Sequence, residues 1–454
     1  MTVRTPRVAV IGAGISGLGA AHALRHAAHV TVFEAEPRCG GHAHTVDVTL
    51  EGITHGVDTG FLVFNRSTYP RLVALFAELG VQTAPSEMSF SVQSPGSGAR
   101  GGPLEWCGND LNGLFAQRRN LLRPSFHGML WDLLRFNRLA TALARRDEDA
   151  ALRQPLGEFL ARHRFGQAFR DGYLLPMIGC IWSCPTEQML RFPVATLIRF
   201  CHNHGLLQVA GRPPWFTVAG GSRHYVERLV RGMPDVRTAT PVHGIQPGRA
   251  PGEPLLVHST DGVEAFDDVV LACHAPQALA MLPHPGRARA QVLGALRTQP
   301  NEAVLHTDAT LLPRRRAAWA AWNYERAPRA AADEAPVCLH YLLNRLQPLP
   351  WRTPVVVSLN PVRPPRPETV LGRYTYAHPV FDQAAIDAQQ RLPALQGQDG
   401  VWFCGAWTGY GFHEDGLRAG QAVAQALVDR WDAAGLLPRR PAVSLPAQDW
   451  QDAA

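Results

Sequence analysis

Three groups of residues in this chain have types and spacing that can do chemistry. The first is Gly12, Gly14 and Gly17, a G-x-G-x-x-G run with Glu34 beyond it. Gly12 permits a tight turn, Gly14 lets backbone approach a pyrophosphate, and Gly17 lets a helix pack closely on a sheet. The helix that follows, from Ile15 and Ser16 onward, offers unpaired N–H groups to phosphates. Glu34 stands where a carboxylate accepts hydrogen bonds from ribose hydroxyls. The second group lies in residues 403–420, FCGAWTGYGFHEDGLRAG, where His413, Glu414 and Asp415 sit among glycines and aromatics. His413 is the candidate for proton handling, because the ordinary pKa of imidazole lies near neutrality. Tyr410 is placed with it as a candidate catalytic residue that shapes the site. The third group is Cys180 and Cys184 with Cys201, His202 and His204 downstream, a spacing that invites zinc.

The elements that must position these residues can be read from periodicity. Val8–Ile11 is a short, fully apolar run suited to the middle of a parallel sheet. An Ala-rich helix to about His26 and a second strand at Val30–Phe33 complete a βαβ order that ends at Glu34. The fold class is therefore α/β, with a Rossmann-like dinucleotide domain. Leu72, Leu75, Phe76 and Leu79 recur at helical spacing, as do Met129, Leu130, Leu133, Leu134 and Phe136. From about Leu62 to Leu206 the chain reads as a mainly helical insertion that walls a substrate cavity. Ala303–His306, Val337–Leu343 and Val355–Leu359 are strand candidates in a second, mixed sheet.

The zinc reading weakens in this context. Cys180 and Cys184 lie within an apolar run, and free cysteines are commonly buried as small hydrophobes. His42 and His44 share one face of a strand, with His55 nearby, and read as satisfied or solvent-facing side chains. No metal is expected.

Composition bounds the rest. At 454 residues, two domains are the prior. All 44 basic side chains are Arg, giving a net charge of +6. They are scattered, so nucleic acid is not an expected partner. The dispersed cysteines and the lack of a leader-like or membrane-spanning run point to a cytoplasmic protein. Peripheral contact with the inner face of a membrane stays open.

Several motifs together resemble the superfamily of flavin amine oxidases, phytoene desaturases and protoporphyrinogen oxidases. Glu34, Arg38, Gly40 and Gly41 resemble its E-x-x-x-R-x-G-G extension, with His42 where the family usually has Arg. Asp58-Thr59-Gly60-Phe61 resembles its D-x-G turn, Val242 its adenine-contacting strand, and Gly411–Gly420 its carboxyl-terminal G-Y-x-E-G-A-V-x-A-G segment. The resemblance implies an FAD-binding domain built discontinuously from 1–61, 205–276 and 396–432. It implies a substrate domain at 62–204 and 277–395, and a tail at 433–454. It implies cofactor contacts from Gly12, Gly14, Ile15, Ser16, Gly17, Glu34, Ala35, Arg38, Gly40, Gly41, His42, Thr59, Gly60, Phe61 and Val242, and from Gly405, Ala406, Asp415, Gly416 and Leu417. The helix at the end of this set would point its N-terminus at the flavin, where reduction places negative charge. FAD would be non-covalent, because Cys404 precedes Gly405 and the family's covalent cysteine lies elsewhere. Many amine oxidases use a lysine near flavin N5, and this chain has none. The segments VDTGFLVFN, HNHGLL and FCGAWTGYGFHEDGL resemble a bacterial oxidoreductase subgroup associated with cyclopropane-fatty-acid-synthase-like methyltransferases. That resemblance implies hydride removal from a lipophilic substrate, such as a methylated acyl chain of a phospholipid, with a methyltransferase as partner. An amine oxidase and a non-catalytic flavoprotein supporting a methyltransferase are the alternatives.

Overall fold

A computed structural model describes residues 4–94, 103–146, 154–182, 185–208, 211–248, 253–327 and 337–436. Its centre is a parallel sheet whose strands, from one edge to the other, are Asp235–Arg237, His29–Phe33, Arg7–Ile11, Asp268–Leu271 and Val401–Phe403. The three inner strands are apolar and buried on both faces, as parallel strands covered by helices must be. Thr31 and Asp268 are the polar side chains buried within them. The Asp268 carboxylate is fully buried and accepts the indole N–H groups of Trp402 and Trp431, each at 3.0 Å, and pairs with Arg430. It fastens the last helix to the middle of the sheet.

That helix, His413–Ala433, crosses the first helix, Ile15–Leu24, at very short range. A methyl group at Gly420 would stand 2.1 Å from the Ser16 carbonyl oxygen, and one at Gly17 would stand 1.9 Å from the Gly12 carbonyl oxygen. Gly416 similarly faces Ile15 and Ser16, and Gly19 faces Leu417. Small residues thus bring the two helices together backbone to backbone, with both N-termini at one end of the sheet.

A second sheet of seven strands carries the other large wall. Its order is Val370–Pro379, Thr298–His306, Val356–Leu359, Cys338–Leu342, Trp322–Glu325, Phe90–Ser94 and Leu104–Cys107. It is mixed, since only Trp322–Glu325 and Phe90–Ser94 pair in parallel. The strand candidates at 303–306, 337–343 and 355–359 fall within it. The helices expected around 69–79 and 126–144 are present as Pro70–Leu79 and Pro124–Arg146. The segment 62–204 is less helical than its sequence suggests. Its first part supplies Phe64–Asn65, Thr83–Ser86, Phe90–Ser94 and Leu104–Cys107 to two sheets. These strands are four or five residues at most, too short for a period of two to stand out. Among the described residues no helix is long and apolar enough to cross a membrane.

The helix crossing makes a direct prediction. Gly420→Ala should destabilise the protein by about 2–3 kcal/mol, since its methyl group has no room beside the Ser16 backbone. Gly294→Ala, in a helix where a methyl meets nothing within 4 Å, should be neutral or stabilising. Chemical denaturation of both variants checks the contrast.

Candidate active site

The turn after the first strand builds the narrow end of the site. Gly12 has φ +105°, which L side chains rarely adopt, and a methyl there would stand 3.0 Å from the Ala272 carbonyl oxygen. Its N–H donates to the Phe33 carbonyl at 2.8 Å, tying the turn to the next strand. Glu34, at the end of that strand, accepts from Ala13 N at 2.7 Å and Glu36 N at 2.9 Å. The chain then returns, and Gly40 bridges to Gly14 while Arg38 donates to the Gly41 carbonyl at 2.9 Å.

These residues open onto a cavity of about 1180 Å³ that runs between the two sheets. Glu34, Ala35, Thr240 and Val242 line one part of it, with Gly12, Gly14, Ile15, Ser16, Arg38, Gly40 and Gly41. Gly60, Phe61, Gly405, Ala406, Phe412 and His413 also line it, as do His42, His274 and His378. Tyr69, Met88, Ile181, Phe200, Trp215, Trp322 and Tyr341 add an aromatic and aliphatic wall. Among the described residues, the carboxylates in the lining are Glu34 and Glu36.

The arrangement fits a flavin dinucleotide. The volume exceeds the several hundred Å³ that an ordinary small ligand occupies. A methyl on Gly14 would meet nothing within 4 Å, so its backbone lies open to the cavity for a phosphate. Glu34 and Val242 would hold the adenosine, and the start of the first helix the pyrophosphate. Gly60, Phe61, Ala406 and the start of the last helix would hold the ring system. Cys404 is buried and lies outside the lining, so it cannot tether a flavin there.

Six of the residues implied by sequence lie off the cavity wall. Gly17 packs helix on turn, and Gly416 and Leu417 pack helix on helix. Thr59 donates or accepts at Tyr376 Oη, 2.6 Å away. Asp415 accepts from Tyr410 N at 3.0 Å and Phe412 N at 3.1 Å, and pairs with Arg418 at 2.7 Å. Tyr410 lies with its ring against Phe200, at 5.9 Å, and its carbonyl accepts from the Trp182 indole at 3.2 Å. Glu414 is equally committed. Its carboxylate accepts from Arg71 N at 2.9 Å and Leu72 N at 3.0 Å, capping a helix whose own N-cap, Tyr69, provides no side-chain bond.

His413 does reach the cavity. Phe61 stacks on its ring at 3.7 Å, and its Nε2 is 2.8 Å from the Tyr225 hydroxyl. Burial lowers its pKa to about 3, so the ring is neutral at physiological pH. His42 is held well below the usual range by burial, with His378, His274 and His413 adding to the effect. Burial also lowers His378 to about 4, and it lies beside Asn301 at 2.8 Å. The sequence reading missed His274 and His378, and with them Tyr374 and Tyr376 of the strand Val370–Pro379. His204 stacks on Phe200 at 4.0 Å, Cys180 and Cys201 are buried, and Cys184 lies outside the described residues. Among the described residues, ligand-type atoms gather elsewhere, at Glu325, Cys338 and His340. There His340 Nε2 is 2.9 Å from Glu325 and Nδ1 is 2.6 Å from the Ser358 hydroxyl, a buried ion pair with an anchored ring.

Two outcomes follow from these contacts. Glu34→Ala leaves the Ala13 and Glu36 N–H groups unpaired, and FAD affinity of the apoprotein should fall roughly 10- to 100-fold on flavin titration. The depressed histidines take up protons only on unfolding, so they stabilise above the unfolded value of about 6.5. Stability should therefore fall as pH drops from about 6.5 toward 4, and His413→Gln should make that fall shallower in denaturant titrations.

Comparison with known proteins agrees with this geometry. A family model described as flavin containing amine oxidoreductase matches residues 15–315 of the 454. The mitochondrial protoporphyrinogen oxidase of Nicotiana tabacum is 61% identical over 41 residues, which is 9% of this chain and 8% of that protein. The solved putrescine oxidase bound to putrescine superposes with a TM-score of 0.65 at 16% identity, over 94% of this chain and 99% of that one. A putative protoporphyrinogen oxidase from Exiguobacterium sp. 255-15 gives 0.65 at 17%, over 94% and 100%. The CLA-producing fatty acid isomerase from P. acnes gives 0.66 at 15%, over 93% and 98%. At such identities these structures share the fold. With two thirds of its length matched by the family model and a cavity built for a flavin dinucleotide, the chain belongs to the flavin containing amine oxidoreductases and is an FAD-dependent oxidoreductase.

Proposed function

We propose that this oxidoreductase is a dehydrogenase or desaturase of a lipophilic substrate, a methylated acyl chain of a phospholipid fitting best. The observation that carries the reading is the lining of the cavity. Beyond Glu34 and Glu36, which belong with the dinucleotide turn, the described wall has no carboxylate. A diamine such as the putrescine of the related oxidase is a double cation, and burying it without an anionic partner is costly. A hydrocarbon chain needs only shape and apolar contact, which Met88, Ile181, Phe200, Trp215 and Trp322 offer. The likeness to a fatty acid isomerase supports such a substrate in this fold.

FAD, when bound, would supply two-electron acceptance of a hydride. The chain's own residues prepare for it. The last helix presents its free N–H groups at the wall beside Phe412 and His413, where negative charge is favoured. His413 contributes a neutral ring, fixed by Phe61 and Tyr225, and acts in positioning rather than as an imidazolium acid. Phe61, Phe200, Trp215 and Trp322 of the wall would exclude water from a bound substrate.

Anaerobic mixing of the holoprotein with phospholipids bearing methylated acyl chains should bleach the visible flavin band, while putrescine and cyclohexylamine should leave it unchanged. Bleaching by the amines alone would replace this reading with an amine oxidase. Flavin reduced by neither class would leave a non-catalytic flavoprotein, the kind of role a partner methyltransferase would need.

A further inference from the structure

The outer surface of the helical layer carries an apolar patch that the cavity chemistry does not use. Five large apolar side chains between residues 111 and 134 are exposed: Leu111 at 74%, Leu121 at 49%, Leu122 at 88%, Trp131 at 69% and Leu134 at 53%. They are neighbours in space. His127 Nε2 is 2.8 Å from the Leu121 carbonyl, and Arg118 bonds Asn112 Oδ1 at 2.6 Å, which brings the turn bearing Leu111 alongside. Along the helix Pro124–Arg146, exposed His127, Trp131, Leu134 and Arg138 follow one another at helical spacing and form a single stripe. The opposite face, with Phe126, Met129, Phe136 and Ala140, is buried.

Over residues 111–138 the exposed charge is basic, and the acid that flanks it, Asp110, is spent capping the turn that bears Leu111 through the Gly113 N–H. Arg118, Arg119 and Arg138 are exposed and Arg123 is half-buried, and none of them is in an ion pair among the described residues. Arg118, Arg119 and Arg123 bond only to carbonyl or amide oxygens. Between residues 111 and 138 the one acid is Asp132, which is buried and spent on Arg135 and the Gly166 N–H. A globular surface exposing Trp and Leu beside unpaired guanidinium groups is built to meet something both apolar and anionic.

We propose that this surface docks the protein on an anionic phospholipid bilayer, with Leu122, Trp131 and Leu134 entering the interface and the four arginines meeting lipid phosphates. Trp is suited to that depth because its ring is apolar and its N–H stays wet. Long Arg side chains keep their charge at the headgroups while their stems lie along the apolar side chains. The patch lies on the outside of the layer that walls the cavity. Helix Pro124–Arg146 packs on Val194–Asn203, and Phe200 of the latter lines the cavity. The inference stands on the surface alone and holds whatever the cavity oxidises.

Co-sedimentation of the FAD-loaded protein with vesicles of equal parts phosphatidylcholine and phosphatidylglycerol tests it. Binding should be clear on these vesicles, weak on pure phosphatidylcholine, and weakened by salt. The double variant Leu122→Ser, Trp131→Ser should lower the partition coefficient about tenfold or more. Replacing Arg118, Arg119 and Arg123 by Gln should lower it about fivefold per side chain. All these side chains are at least partly exposed, and retained flavin absorbance and circular dichroism confirm that the variants fold. Failure of the parent protein to bind anionic vesicles overturns the proposal, as does binding that neither variant changes. It is equally overturned if analytical ultracentrifugation shows a dimer that the Leu122, Trp131 variant converts to monomer, since the patch would then be covered by a second copy of the chain.

Discussion

Everything at the site depends on how closely two helices can approach. Without Cβ atoms at Gly416 and Gly420, helix His413–Ala433 settles onto Ser16 and Ala20 of the first helix at backbone distance. That contact sets both helix N-termini at the same end of the parallel sheet. One can then face a pyrophosphate and the other the ring that receives electrons, each with free N–H groups and a favourable dipole. A wider crossing, of the kind bulky side chains impose, would separate these termini by the thickness of a side-chain layer. The geometry of the site thus depends on an absence of side chains along the helix crossing, at Gly416 and Gly420.

The acids tell a complementary story. Asp58 is buried and accepts from Thr45, Ser222 and Gln347. Asp268 takes two indoles and an arginine, Asp415 caps its own helix, and Glu414 caps another. Asp58, Asp268 and Glu414 join elements distant in sequence, while Asp415 fixes the start of its own helix through Tyr410, Phe412 and Arg418. Away from Glu34, Glu36 and Arg38 of the dinucleotide turn, the described lining offers the cavity imidazoles, phenols and aromatics. A buried negative charge there would raise the cost of adding electrons to a flavin, and its absence suits a ring that becomes anionic on reduction.

Much of this was legible in the sequence because its signals are local. The turn at Gly12–Gly17, the strand before it and Glu34 fall within one βαβ unit, where glycine geometry and apolar runs dictate the outcome. The amphipathic helices at 70–79 and 124–146 declare themselves by period. The acid pair Glu414 and Asp415 was readable as a helix start. The cap that Glu414 gives to Arg71 and Leu72 was not, since 343 and 342 residues separate the partners. The same reason hid His274 and His378. His274 follows the strand Asp268–Leu271 in sequence, and the pairing of Val370–Pro379 with Thr298–His306 brings His378 to the same wall. Short strands such as Leu104–Cys107 carry too few residues to show an alternation.

The order of strands in the parallel sheet has a consequence for how the protein is made. The edge strand Val401–Phe403 and the helix that crosses Ile15–Leu24 are encoded nearly four hundred residues after the turn they complete. At about 5–20 residues per second, a ribosome releases the glycine turn some 20–80 s before its counterpart. During that interval Ser16 and Ala20 lie bare, and the cradle for the cofactor has only one side. Both sides of the cradle are therefore present only once the strand Val401–Phe403 and the last helix have been made.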